Sequence, residues 1–305
     1  MRRALTVAAA TAALLLPGGP LPVAEAGSAQ PPAGSWSARE AESFWTADRM
    51  ASAVPVTRGG QAAAGNGTGQ DFDGIPVVGR MFVMKGGGAY FCTASVVASP
   101  GHDLVLSAAH CLLGTDARQV AFVPQYTSAN PQPYGMFPVL RDAAGKSKVW
   151  IDPRYRSLGA DRGATLDVAF AQVGPDADGF PVEDVVGGNR LVTGATYAHP
   201  KVSLIGYPAS AARPRLCVNR TTKFTSSDPG IPGSFLRIAC TGYPGGTSGG
   251  PFLTRYDERT ETGDVVGVIG GWKTGGDTAD ISYSSYFGAE VKELYRKAVA
   301  GARVR

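Results

Sequence analysis

The chain has 305 residues, enough for one large all-β unit or two ordinary domains. With 44% apolar and 18% charged residues it can bury a core and is not a disordered polymer. The net charge of +4 is small for this length and no long Lys/Arg run occurs, which argues against nucleic acid or an anionic membrane as the main partner.

The N-terminus reads as an export signal over residues 1–26. Arg2 and Arg3 form a basic start, Ala4 to Leu16 an apolar run, and Ala24-Glu25-Ala26 a small-x-small cleavage pattern. The rival is an uncleaved anchor, but the run has only about 13 residues, short of the roughly 20 that span a bilayer. The expectation is a secreted, extracellular protein with no membrane association after signal cleavage. Residues 27–72 read as a pro-segment or an N-terminal appendage with a flexible linker. Ser37 and Glu40 have capping-box spacing, and Ala41, Phe44 and Trp45 fall on one face of a short helix between Ser37 and Met50. Arg58-Gly59-Gly60 and Ala64 to Gly69 cannot form a packed element and supply the linker. A cleavable pro-segment and a permanent appendage packed on the domain both fit.

Residues 73–305 form the expected main domain. Short runs rich in β-branched and aromatic residues cover Phe82 to Met84, Tyr90 to Val97, Leu104 to Ser107, Val120 to Val123 and Val149 to Ile151. Leu166 to Val173, Val202 to Ile205, Phe235 to Ala239 and Val265 to Ile269 continue the series. With 41 Gly and 22 Pro between them, these runs favour closed barrels or sandwiches over βαβ units. Val291, Leu294, Tyr295 and Ala298 lie at helical spacing, predicting one amphipathic C-terminal helix that covers a barrel. Export permits disulfides, and sequence order suggests Cys92 with Cys111 and Cys217 with Cys240; four free buried thiols is the alternative.

The most informative stretch is Gly246-Thr247-Ser248-Gly249-Gly250-Pro251. A serine hydroxyl is a poor nucleophile until a base takes its proton, and glycine-rich turns with a serine are common in inert loops. The candidate base is His110, at the end of the apolar run Leu104 to Ser107 and beside Cys111. His102 and His199 sit in loop contexts. The candidate orienting acid is Asp167, which interrupts an apolar strand and is costly there unless paired; Asp152 and Asp161 lie in polar loops. An imidazole N–H is a suitable partner for it. The amides of Gly246 and Ser248 are placed to hold the oxyanion of a tetrahedral intermediate.

Phe91-Cys92-Thr93-Ala94-Ser95-Val96-Val97, Leu106-Ser107-Ala108-Ala109-His110-Cys111, Leu166-Asp167-Val168-Ala169-Phe170 and the serine stretch together resemble the chymotrypsin/trypsin-like serine peptidases. The resemblance spans roughly Gly74 to Ala300, and the composition resembles secreted actinomycete-type bacterial members. It implies an all-β fold of two perpendicular six-stranded antiparallel barrels with a C-terminal helix. It also implies a serine endopeptidase with His110, Asp167 and Ser248 as catalytic residues in the cleft. Two departures stand out. Thr247 occupies the position where digestive relatives carry an aspartate that pairs with a freed N-terminus, so the oxyanion hole is expected to form without such insertion. Gly242 occupies the position of the aspartate that selects Lys or Arg, so a preference for basic side chains is not supported. Val268 to Trp272 is expected to line the primary pocket and bind substrate backbone, with Gly242, Gly270, Gly271 and Trp272 as substrate-binding residues. Gly206-Tyr207-Pro208 is similar to glutamyl-endopeptidase relatives, but their pocket histidine has no counterpart after His199.

Gly246-x-Ser248-x-Gly250 also fits an α/β-hydrolase elbow, yet no histidine follows Ser248 as that fold requires. The Asp, His, Ser order of subtilisin-like enzymes finds no aspartate at the end of a convincing parallel strand before His110. A binding protein on the peptidase fold that has lost activity is the rival from another class, although such proteins usually lose a triad residue. The expected chemistry needs no metal or organic cofactor, and the expected partners are protein or peptide substrates met by a monomer.

Overall fold

The computed structural model describes residues 35–57, 69–115, 119–209 and 211–303. The expected signal peptide and most of the expected linker lie outside these residues. The strands in chain order are β1 (Val54–Pro55), β2 (Gln70–Asp71), β3 (Val78–Lys85), β4 (Gly88–Val97), β5 (Leu104–Ser107), β6 (Val120–Pro124), β7 (Phe137–Pro138), β8 (Val149–Ile151) and β9 (Ala169–Gln172). They continue as β10 (Arg190–Leu191), β11 (Val202–Gly206), β12 (Arg215–Asn219), β13 (Thr221–Thr225), β14 (Ser234–Ala239), β15 (Pro251–Asp257), β16 (Thr262–Val268) and β17 (Ile281–Ser285). The helices are α1 (Ala38–Phe44), α2 (Ala47–Ser52), α3 (Ala109–Leu112), α4 (Pro153–Arg162), α5 (Val182–Val186) and α6 (Ala289–Arg303).

The first sheet runs β7-β6-β3-β4-β5-β9-β8 and curls until Val139, just past β7, bridges Val173, just past β9. Side chains alternate across it as the two-residue period of a strand dictates. Met81, Val83, Cys92, Ala94, Val96, Val105, Phe122, Ala169 and Ala171 share one buried cluster inside the curl. Their neighbours Val78, Phe82, Phe91, Val97, Leu104, Leu106, Ala121, Val123 and Phe170 point the other way into a second cluster. That second face is buried too, against the N-terminal helices, α6 and residues of the second barrel such as Ile205, Leu253 and Val268.

In the second barrel β10-β16-β15-β11-β12-β2 forms one sheet and β13-β14-β17 another. Strands β12 and β13 follow one another across the single residue Arg220, and so carry the chain from one sheet into the other. Beyond β16, the Gly270 amide donates to the Tyr283 carbonyl of β17 at 2.9 Å, which closes the loop of strands. Leu204, Cys217, Leu236, Ile238, Cys240, Phe252 and Val266 fill the interior. The all-β two-barrel architecture expected from the resemblance is therefore present.

Helix α6 covers the first barrel with the predicted face: Val291, Leu294 and Ala298 are buried, and the Tyr295 hydroxyl donates to the Ala98 carbonyl at 2.7 Å. Both expected disulfides are formed, Cys92–Cys111 and Cys217–Cys240. The Ser37/Glu40 capping box is present, but the single helix expected over Ser37 to Met50 is two. Thr46 restarts the helix by accepting the Arg49 amide at 3.3 Å, an N-cap that competes with continuation through Trp45. The break lets Trp45 dip fully into the core, 5.4 Å from the Phe82 ring. Asp167 does not interrupt a strand as expected. It ends a short 3-10 turn (Ala164–Leu166), and the strand begins only at Ala169.

Candidate active site

His110 occupies the first turn of α3, directly after β5, and the Cys92–Cys111 disulfide ties that turn to β4. Asp167 is fully buried. It accepts from the His110 amide at 2.9 Å, from His110 Nδ1 at 2.8 Å and from the Gly271 amide at 2.9 Å. Burial alone would push this carboxyl upward. The facing imidazole and the N–H donors outweigh burial and hold it below its ordinary range. The arrangement places a fixed anion behind the imidazole and leaves Nε2 as its working edge. Among the described residues that Nε2 is buried and has no hydrogen-bond partner.

Ser248 sits on a turn that both barrels hold. The Thr93 hydroxyl of β4 donates to the Gly246 carbonyl at 2.9 Å and accepts from the Tyr207 amide at 2.8 Å. The Thr93 amide donates to the Ser248 carbonyl at 2.8 Å. From the other side Gly249 donates to the Ile269 carbonyl at 2.7 Å. Two glycines are required here. A Cβ on Gly246 (φ +96°) would lie 2.6 Å from both Phe91 and the Tyr207 carbonyl, and one on Gly249 (φ +82°) would lie 2.2 Å from the Ser107 hydroxyl. Thr247 is buried, and its hydroxyl donates back to the Pro244 carbonyl at 2.8 Å. The turn is thus closed on itself at the position where an aspartate was absent.

A cavity of about 350 Å³ opens beside Ser248, walled by Tyr243 to Gly245, Thr247, Ile269 and the loop Lys273 to Thr278. The loop is unusual: Lys273 (φ +48°) and Thr274 (φ +56°) both take left-handed backbone, which is strained for non-glycine residues. The four expected substrate-binding residues border this space without lining it. Gly242 accepts from the Arg215 guanidinium behind it at 2.9 Å, Gly270 packs on Asp167, and Gly271 donates to Asp167. Trp272 packs edge-to-face on Phe224 and tilted on Tyr283, with ring centroids 5.2 and 4.7 Å away. Lys273 pairs with Asp277 at 2.8 Å, so its charge is answered within the loop. A larger open depression lined by Pro200, Val218, Asn219, Arg220, Thr222, Arg237 and Ala239 holds none of the expected site residues. The donor atoms of Cys92, His110 and Cys111 also lie within 4.8 Å of one another, but both sulfurs are spent in the disulfide, which leaves no thiolate for a metal.

Three residues come to the site without a signal in the sequence. Thr57 lines the cavity mouth, its Oγ1 3.1 Å from Ser248 Oγ. Lys85 donates to the His110 carbonyl at 3.0 Å, and burial lowers its ammonium pKa. The buried phenol of Tyr155, on the unpredicted helix α4, is pushed upward by burial and then by neighbouring Asp167. Among the described residues no helix is long and apolar enough to cross a membrane.

The fold recurs among solved structures. Among solved structures the chain is similar to the protease Anisep from Arthrobacter nicotinovorans, with a TM-score of 0.62 and 23% identity over 76% of this chain and 99% of that one. It is similar to the thermostable serine protease AL20 from an extremophilic microorganism (TM-score 0.58, 23% identity, 74% and 97% covered). A Glu endopeptidase in complex with MPD shares the fold at a TM-score of 0.53, with 16% identity over 78% of this chain and 99% of that one. No match is found among curated proteins. The sequence profile of the trypsin-like peptidase domain matches residues 92–268, more than half of the chain and reaching from the first site motif past the last, and the chain belongs to that family.

Proposed function

We propose that the chain is a secreted serine endopeptidase in which Ser248 is the nucleophile, His110 the general base and then acid, and Asp167 the orienting anion. The observation that carries this reading is the buried Asp167, which accepts from both the amide and Nδ1 of His110, together with a glycine-enforced turn at Ser248 that packs against Ser107 and Ala108, just ahead of that histidine. In the proposed cycle His110 Nε2 takes the Ser248 proton as Oγ attacks the scissile carbonyl. The Gly246 and Ser248 amides hold the resulting oxyanion. His110 passes the proton to the leaving amine, and the same steps with water release the acyl group. No metal ion or organic cofactor takes part. Substrate backbone runs along the strand end of Val268 to Trp272, and the cavity beside Ser248 receives the side chain on the acyl side. Gly242, Gly270, Gly271 and Trp272 shape that region from behind. The hydrogen bond from Thr247 to Pro244 supports an oxyanion hole that forms without an inserted N-terminus. Two disulfides and the signal-like start of the sequence support an extracellular location. On this reading the chain acts as a monomer on proteins or peptides rather than on nucleic acid or membranes.

Cleavage of a peptide library tests the reading. A form of the chain trimmed by limited proteolysis ahead of residue 69 should cut internal peptide bonds and its Ser248→Ala counterpart should not; equal cutting by both, or none by either, would overturn it.

A further inference from the structure

The segment ahead of the main domain reaches Ser248. Strand β1 pairs in parallel with β4, Val54 opposite Tyr90 and Pro55 opposite Phe91. The Val56 amide then donates to the Phe91 carbonyl at 3.1 Å, and the Val56 side chain packs against the interior cluster of the first barrel. The next residue, Thr57, places its hydroxyl 3.1 Å from Ser248 Oγ and lines the cavity beside it. Ser248 Oγ is therefore hydrogen-bonded to the Thr57 hydroxyl, while His110 Nε2 has no partner among the described residues. Upstream, Trp45 and Met50 are fully buried and anchor the segment to the barrel. Two features are separable here: a well-packed anchor, and a terminal contact that engages the one atom the chemistry needs.

The direction of the segment matters. In the proposed function the acyl half of a substrate fills the cavity, so a substrate that continued past Ser248 beside β4 would run from the serine toward Phe91. Residues 54–57 travel the opposite way, from Phe91 toward Ser248, and meet the serine with a side-chain hydroxyl. A chain bound in reverse presents no scissile carbonyl in register, so it can occupy the site without being cut.

We propose that residues 54–57 are a built-in plug, bound against the substrate direction, which keeps the chain latent until the segment is displaced. This rests on the reading of Ser248 as nucleophile. It assigns Thr57 and Val56 an inhibitory role, with the segment packed as an appendage and acting as an inhibitor.

The test is the rate at which a fluorophosphonate labels the full chain, with the intact mass confirming that the segment is still attached. Val56→Asp places a charge in the apolar seat and should raise the labelling rate at least tenfold over wild type. Thr57→Gly removes only the terminal contact and should raise it several-fold, and it decides the matter should Val56→Asp fail to fold by circular dichroism. Ser248→Ala should not label. Wild-type labelling as fast as that of the folded variants, segment attached, overturns the plug while leaving the nucleophile in place. No labelling in any form, including chain trimmed by limited proteolysis ahead of residue 69, overturns the nucleophile reading and the plug with it.

Discussion

The hydroxyl of Thr93 donates to the carbonyl of Gly246 at 2.9 Å, a bond between a strand of the first barrel and the Ser248 turn of the second. Because the same oxygen accepts from the Tyr207 amide, one side chain sets the orientation of the Gly246–Ser248 peptide units. Those units carry the two amides proposed to hold the oxyanion.

Thr93→Val keeps the shape and removes both bonds. It leaves a buried amide and a buried carbonyl unpaired, which costs about 1–3 kcal/mol each in stability. Losing an oxyanion donor outright costs roughly 10²–10³ in rate, and a displaced turn should cost less, about tenfold in kcat with KM little changed. Urea unfolding and steady-state kinetics on one peptide substrate check both parts.

Asp167→Asn should lower kcat by about 10⁴, because the amide no longer fixes the imidazole tautomer or balances the imidazolium. A pH dependence goes with it. The folded pKa of Asp167 lies below its unfolded value of about 3.9, so its ionised form stabilises the fold above that pH. That contribution is lost as the pH falls through the folded value. Wild-type stability should therefore drop more steeply below about pH 4 than that of Asp167→Asn, as read from urea midpoints.

If the oxyanion turn is self-closed through Thr247 and Pro244, the identity of the processed N-terminal residue should leave turnover nearly unchanged. Thr247→Val, which loses the hydroxyl, should in contrast lower kcat. Turnover measured on variants at the processed N-terminus checks the first part, and a collapse in rate would refute it.

The Cys92–Cys111 disulfide joins residues 19 apart in the sequence and holds the turn that carries His110. Replacing both cysteines by alanine should cost about 3 kcal/mol by the chain-entropy argument. The fluorophosphonate labelling rate should fall alongside the melting temperature, since the freed turn no longer fixes the imidazole.

What the sequence could show depended on how local the physics is. The pairing of His110 with Asp167 was legible because the chemistry demands those residue types, each flanked by a short apolar strand. The alternation in β4 and β5 is strong for the same reason: one face fills the barrel and the other packs on neighbours. Strands β12 and β13 escaped because most of their side chains meet solvent, leaving no apolar period to read. Strand β17 hid behind serines that are buried through hydrogen bonds: Ser285 donates to Ala164, and Ser284 accepts from the Val268 amide. Helix α4 is polar and is bent at Gly159 (φ +79°), so it gave no amphipathic stripe. Thr57 was beyond reach, since its partner is 191 residues away and a lone threonine after an extended segment carries no signal.

The central claim is that Ser248 is a nucleophile activated by His110. Its most direct measurement is fluorophosphonate modification of the folded Val56→Asp chain, in which the proposed plug is displaced, followed by peptide mapping. One adduct on the peptide containing Ser248, absent from Val56→Asp/Ser248→Ala and strongly slowed in Val56→Asp/His110→Ala, is the predicted result. No adduct, or an adduct that survives loss of Ser248, would contradict the claim.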